Sequence, residues 1–223
     1  MEKLDNKSYK ALIKGAETLT EDLYGKKVLK LKDGRIAKLF RLKRVFSSAL
    51  LMPYARRFVR GVKILENHNI PTVNVTGLYK IPSIKRDMVV YHPLKGESLR
   101  EMIAKKENTH ELISQFISFF AKLHDNRIYF RAIHFNNVFI TPKGEFGLID
   151  ISDLHWSPLP FIISKRVRNF KPFLHYTEDR KALEAFSLDK FIDIYIKKSK
   201  IKPKNRQIKL KKAVLQLYGE SDE

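Results

Sequence analysis

The chain has 223 residues, 43% of them hydrophobic, with 15 Phe and 9 Tyr, so it can bury a core as one ordinary domain or two small lobes and is not a disordered polymer. It has no cysteine, which excludes disulfides and thiolate metal sites and fits a reducing compartment. A formal net charge of +20 and a pI near 10.0 set up a long-range field favouring polyanions, namely nucleic acid, an anionic lipid surface or a phosphorylated glycolipid.

The opening MEKLDNKSYKALIKG lacks the apolar core of a secretory signal, and no run approaches about 18 apolar residues; the expectation is a cytoplasmic chain that does not span a membrane. Residues 1–25 show only a weak period and read as a lead-in with one short helix or strand. VLKLKDGRIAKLF then alternates on both sides of Lys32-Asp33-Gly34, a hairpin signal in which Asp-Gly supplies the positive φ of a tight turn. Lys38 falls on the face opposite Ala37 and Leu39, as an ordinary strand lysine or as a cation aimed at phosphates.

Leu50, Leu51, Tyr54, Phe58, Val62 and Leu65 have helical spacing, with Pro53 starting or kinking the helix and residues 67–69 ending it. Residues 70–75 and 77–79 suggest a strand pair, and residues 88–91 a further strand, broken by His92-Pro93-Leu94-Lys95-Gly96. Beyond that break the chain turns helical. Ser98 is a cap for a short helix, and residues 110–125 form an amphipathic one with Leu112, Phe116, Phe119, Phe120 and Leu123 on one side.

Two strands, at residues 138–140 and 146–149, flank the turn Thr141-Pro142-Lys143-Gly144-Glu145. A hairpin of that length brings its outer ends together, so Asn137 should lie beside Asp150. An amide oxygen next to a carboxylate suits Mg²⁺, which takes one or two protein ligands plus substrate phosphates; a surface hairpin with Asn and Asp capping strand ends fits the same pattern. Residues 154–160 read as extended or looped, and helices rich in Phe and basic residues follow. The lysine-rich run KKSKIKPKNRQIKLKK is a basic C-terminal tail, either a solvated face or a polyanion surface. The architecture expected is α+β and bilobal: a small antiparallel-sheet N-lobe over residues 1–91, a hinge near residues 91–96, and a helical C-lobe over residues 92–223.

With these parts in order the chain resembles the protein-kinase-like superfamily. It is most similar to the bacterial lipopolysaccharide core kinases that act on Kdo and heptose, in their toluene-tolerance-type branch. The resemblance rests on Ile36-Ala37-Lys38, on Tyr91-His92-Pro93-Leu94, on Phe120-Ala121-Lys122-Leu123-His124, on FRAIHFNNV, on GLIDISDL and on Arg-Val-Arg-Asn-Phe at residues 166–170. It implies a protein-kinase-like fold that binds ATP and Mg²⁺ and phosphorylates a sugar of lipopolysaccharide core or a related envelope glycolipid, at the inner face of the cytoplasmic membrane. Lys38 would contact the nucleotide phosphates, the backbone around Tyr91, His92 and Leu94 would meet adenine, and Asn137 and Asp150 would hold the metal.

The sequence departs from that pattern in three places. The catalytic-loop aspartate is replaced by Ala132, and a methyl group accepts no proton. No GxGxxG occurs near the N-terminus, which leaves backbone or Lys26 and Lys27 to cover phosphates. Arg60 and Gly61 stand where a helix glutamate would pair with the strand lysine, with Glu66 an imperfect substitute. His134 and Asp153 are the candidate replacement bases; His134 could also steady a γ-phosphate as a cation or only bond the loop backbone, and Asp153 could only cap a turn. A pseudokinase scaffold that binds nucleotide without transfer is the alternative reading. Nucleic acid is the least fitting partner, for there is no recognition motif and no aromatic–basic interleaving.

Overall fold

The structure is a computed structural model that describes residues 1–41, 52–105 and 108–219. Expected helix positions Leu50 and Leu51 lie outside these. The chain divides into two compact units, Met1–Leu94 and Lys95–Glu223; the sequence places that division after Tyr91.

The first unit is built on a six-stranded sheet of order β1-β5-β6-β4-β3-β2. Its strands are β1 (Glu2–Lys3), β2 (Glu17–Asp22), β3 (Gly25–Lys30), β4 (Ile36–Arg41), β5 (Asn74–Ile81) and β6 (Arg86–His92). All neighbours are antiparallel except β1, which runs parallel to β5. Strand alternation sorts the two faces. Leu29, Ala37, Leu39, Met88 and Val90 pack with Tyr9 of α1 (Asn6–Leu12). On the opposite face Phe40 and Tyr91 meet Phe58 of α2 (Tyr54–Glu66), with ring centroids 6.0 and 5.3 Å apart.

Two sequence expectations change here. Residues 1–25 hold β1, α1 and β2, more than one element; β2 went unseen because ETLTED is an edge strand with five of its six residues exposed, so it carries no alternation to read. The strand pair at residues 70–79 is instead the single strand β5, whose register shifts between Val75 and Gly77. A bulge of this kind interrupts the period and looks like a break in sequence.

The second unit opens with β7 (Glu97–Ser98) and α3 (Leu99–Ala104), where Ser98 and Glu101 form a reciprocal capping box. Then come α4 (Thr109–Asp125), β8 (Ile128–Phe130), β9 (Val138–Ile140), β10 (Phe146–Leu148) and β11 (Leu154–Trp156). They form a three-stranded sheet β10-β9-β7 and a ribbon β11-β8. Helices α5 (Ile163–Arg168), α6 (Thr177–Phe186), α7 (Leu188–Lys198) and α8 (Lys204–Gly219) complete the unit. Its core is aromatic: Phe116 and Phe120 of α4 stand edge-on to Phe173 at 5.6 and 5.5 Å, and Phe170 closes on Phe120 at 5.1 Å. Such pairs add about 0.5–1.5 kcal/mol each beyond the area they bury. The lysine-rich run is no tail: it forms the end of α7, a short connection and most of α8.

Candidate functional site

The β9–β10 hairpin closes through Thr141, whose N–H donates to the Glu145 carbonyl at 2.9 Å, and Gly144 takes the turn's positive φ of 78°. Its ladder pairs Val138 with Leu148 and runs one bond further, from Ile149 N–H to the Asn137 carbonyl at 3.0 Å. That last bond sets the Asn137 backbone against the residue preceding Asp150. Asp150 itself adopts the left-handed conformation, φ 51° and ψ 44°, and its side chain does not cap the 3-10 turn it leads into. Buried Leu148 and Ile151 on either side hold it there against a cost on the order of 1 kcal/mol.

Asn137 is buried, and its amide is oriented by two partners. Nδ2 donates to the Ala132 carbonyl at 2.9 Å and to His134 Nε2 at 3.0 Å. A carbonyl accepts only, so the amide nitrogen must face Ala132, and Oδ1 is turned away from both. The same bond fixes the histidine: Nε2 accepts, which places the proton of the neutral ring on Nδ1. Burial, and after it the nearby Arg100 guanidinium, push the His134 pKa down to about 4. At neutral pH, with no anion beside it, the ring is therefore uncharged. Its basic lone pair is engaged by Asn137, so in this arrangement His134 orients the amide.

Asp153 carries the second expected base. Its Oδ2 meets Arg131 Nη2 at 3.0 Å, so this carboxylate joins the turn after Asp150 to the residue before Ala132. The pair is an exposed one, with the Arg131 side chain 71% accessible, and contributes under about 1 kcal/mol. The turn it was expected to cap does not follow it: strand β11 begins directly after it at Leu154.

Three groups missing from the sequence reading support this loop. Asp179, in the first turn of α6 and fully buried, accepts the Phe135 N–H at 2.8 Å through Oδ2 and Arg100 Nε at 2.9 Å through Oδ1. Burial raises its pKa in spite of those partners. Arg100 also lies over the Tyr176 ring at 4.8 Å, and that ring packs on His134 at 4.3 Å. An acidic residue among polar neighbours at a helix start gives no sequence sign of burial, so Asp179 had no readable signal.

Behind the loop lies a second, fully bonded network. Asn169 Nδ2 donates to the Phe130 carbonyl at 2.8 Å, so its Oδ1 accepts from His124 Nε2 at 2.9 Å. His124 Nδ1 then accepts the Tyr195 hydroxyl at 2.6 Å, and that hydroxyl accepts from Arg166 at 3.0 Å. Arg166 in turn pairs with Asp125 at 2.9 Å. Burial lowers the His124 pKa to about 3, keeping it neutral. The stretch Arg-Val-Arg-Asn-Phe, quoted above for its resemblance, thus supplies Arg166 and Asn169 to clamp the strand leading into Arg131.

In the first unit, Lys38 is buried on the α2 face of the sheet. Its Nζ stands 5.8 Å from the ring centroids of both Phe40 and Phe58, at the outer limit of a cation–π contact. The helix position over Lys38 is thus Phe58; Arg60 is exposed, Gly61 buried and Glu66 exposed at the helix end. Tyr91 is half-buried against Phe58, His92 ends β6 exposed, and Leu94 is the half-buried last residue of this unit. The β2–β3 turn, which leads into Lys26 and Lys27, is held by Arg86, which donates to the carbonyls of Lys26, at 2.7 Å, and of Tyr24.

Among the described residues no group of three or more His, Cys, Asp or Glu side chains could hold a metal ion, and no helix is long and apolar enough to cross a membrane. No protein-family model matches the chain, and no curated protein matches it. The oxygen-bearing side chains at the two ends of the hairpin are the Asn137 amide and the Asp150 carboxylate. Hard oxygens of this kind fit Mg²⁺, which keeps most of its waters and needs no cluster of three acidic ligands.

Proposed function

We propose that the chain is an ATP- and Mg²⁺-dependent phosphotransferase of the lipopolysaccharide core kinase type, acting on a sugar of lipopolysaccharide core or a related anionic envelope glycolipid. The observation that carries this reading is the Asn137 amide, locked by Ala132 and His134 with its oxygen turned away, at the end of a ladder leading to Asp150. In this reading Asn137 and Asp150 hold Mg²⁺, Lys38 meets the phosphates, and the backbone near Tyr91, His92 and Leu94 meets adenine. The metal, when bound, supplies charge neutralisation at the phosphates. The protein-kinase-like bilobal fold belongs to the same proposal, as does a position at the cytoplasmic membrane face.

Phosphoryl transfer through a loose transition state depends mainly on positioning and charge stabilisation, so a chain without the loop aspartate keeps a route to turnover. Missing general-base assistance costs about 10²–10⁴-fold. The engagement of His134 by Asn137 and of Asp153 by Arg131 favours a second reading, a pseudokinase that binds nucleotide as a scaffold.

The test is incubation of the purified protein with ATP, Mg²⁺ and deacylated lipopolysaccharide core, comparing wild type with Asp150→Asn and His134→Ala. Slow transfer, abolished by Asp150→Asn, is expected. His134→Ala should weaken metal–nucleotide affinity while leaving the shape of the pH–rate profile unchanged, as a positioning role requires. Nucleotide binding without transfer would favour the scaffold, and absence of both would remove the proposal.

A further inference from the structure

One uninterrupted block of the positive charge lies within the second unit. Residues 197–212 contain nine Lys or Arg and no acidic residue, and every one of these cations except Lys211 is exposed. Lys211 is turned to Asp193 and Asp189 of α7, at 2.7 and 3.2 Å, so the nearby carboxylates are already committed to it. The connection from α7 to α8 is pinned. Lys200 N–H donates to Asp125 at 2.9 Å, Ile201 is buried, and Gln207 donates to the Ile201 carbonyl at 2.8 Å. The lysines on this connection therefore project from an ordered backbone.

Helix α8 turns Leu210, Val214 and Tyr218 inward. Its opposite side, by the three-and-four spacing of a helix, carries Asn205, Ile208, Lys209, Lys212 and Gln216. Ile208 is 49% exposed, an aliphatic side chain set among cations. Lysine point charges around an exposed aliphatic group suit a diffuse anionic surface with an apolar layer beneath it. Nucleic-acid readers draw instead on arginine forks and aromatic platforms. This run has a single Arg, and its one aromatic neighbour on α8, Tyr218, is buried.

We infer that this face, formed by the end of α7, the connection and the outer side of α8, docks the chain on a bilayer bearing anionic headgroups, with Ile208 entering the interface. The inference stands on unit-two surface residues and is independent of nucleotide chemistry.

The experiment is co-sedimentation of the full chain with phosphatidylglycerol-containing vesicles and with pure phosphatidylcholine vesicles. Binding to the first alone is expected. The variant Lys204→Gln/Arg206→Gln/Lys209→Gln/Lys212→Gln should lower it on the order of several-hundred-fold, taking each cation near the surface at about fivefold. A control that removes the same charge elsewhere, Lys3→Gln/Lys7→Gln/Lys10→Gln/Lys14→Gln, should lower it less than about tenfold through the weaker overall field. Ile208→Ser should weaken binding at high salt as well as low, and Asp150→Asn should bind as wild type does, so that docking and nucleotide chemistry fail separately. Equal losses in the two fourfold variants would overturn the assignment, as would indifference of wild type to anionic vesicles. So would a C-terminal variant that loses binding to single-stranded RNA while vesicle binding stands.

Discussion

The histidines show how a residue's role follows from which lone pair is already taken. At His134 the Nε2 lone pair serves Asn137, and at His124 the Nδ1 lone pair serves Tyr195, so both rings are neutral and orienting. The neutrality of His124 has a thermodynamic consequence. Its pKa is about 3 in the fold against 6.5 for the free side chain, so between these values the unfolded chain binds a proton that the folded chain refuses. Stability from this group is fully present above pH 6.5 and is lost as pH falls toward 3, by up to about 4–5 kcal/mol at 1.36 kcal/mol per unit. His134, lowered to about 4, acts in the same direction. Proton uptake on unfolding near about pH 5 should therefore fall by close to one in His124→Asn; unchanged uptake would assign the acid sensitivity elsewhere. The sequence showed Asn137 and Asp150 through the hairpin between them. It could not show the two bonds on the Asn137 amide, because which nitrogen of His134 faces it depends on three-dimensional placement of the loop.

Elements were legible where their apolar residues keep a period or an unbroken run. Helix α4 keeps a helical period, β3 and β4 alternate about the Asp33-Gly34 turn, and Met88, Val89, Val90 and Tyr91 of β6 form a continuous apolar run; β2, exposed along nearly its whole length, and β5, bulged between Val75 and Gly77, did not repeat cleanly. Glycines at the breaks separate into two kinds. Gly96, just before β7, has φ +135°, and a Cβ there would run into the Ile140 carbonyl of β9. Gly144, in the β9–β10 turn, has φ +78° and open space around it. Gly96→Ala should therefore cost about 3 kcal/mol or more, from backbone strain and a clash with main chain. Gly144→Ala should cost about 1–2 kcal/mol, from strain alone. Denaturant midpoints of the two variants measure the difference, and equal losses would mean that the Ile140 carbonyl yields freely. The sequence marked residues 92–96 as a break because Pro93 and Gly96 interrupt the pattern. It held no sign that Gly96 is needed for a close backbone approach to β9.

At the scale of the molecule, a charge of +20 repels itself, and self-repulsion of this size opposes the compact state. Raising salt from roughly 0.15 to 1 M shortens the Debye length from about 8 to 3 Å, so the melting temperature should rise with salt. A fall would mean that attractive pairs such as Lys211 with Asp193 outweigh the repulsion. Composition foretold the size of this charge and its run near the C-terminus; that the run is folded into α7 and α8 follows from Leu210, Val214 and Tyr218 finding a core to enter. The α+β class and a division close to Leu94 were readable from the change in pattern beyond residue 92. Nucleotide chemistry in this chain depends on whether the Asn137 and Asp150 oxygens hold a metal. Isothermal titration of ATP into the full chain, with Mg²⁺ and with chelator, tests this most directly. Binding should require Mg²⁺ and fall at least about tenfold in both Asp150→Asn and Asn137→Ala, a loss of about 1.4 kcal/mol. Wild type that binds no ATP in the presence of Mg²⁺, or an Asp150→Asn variant with unaltered affinity and metal dependence, would contradict this expectation.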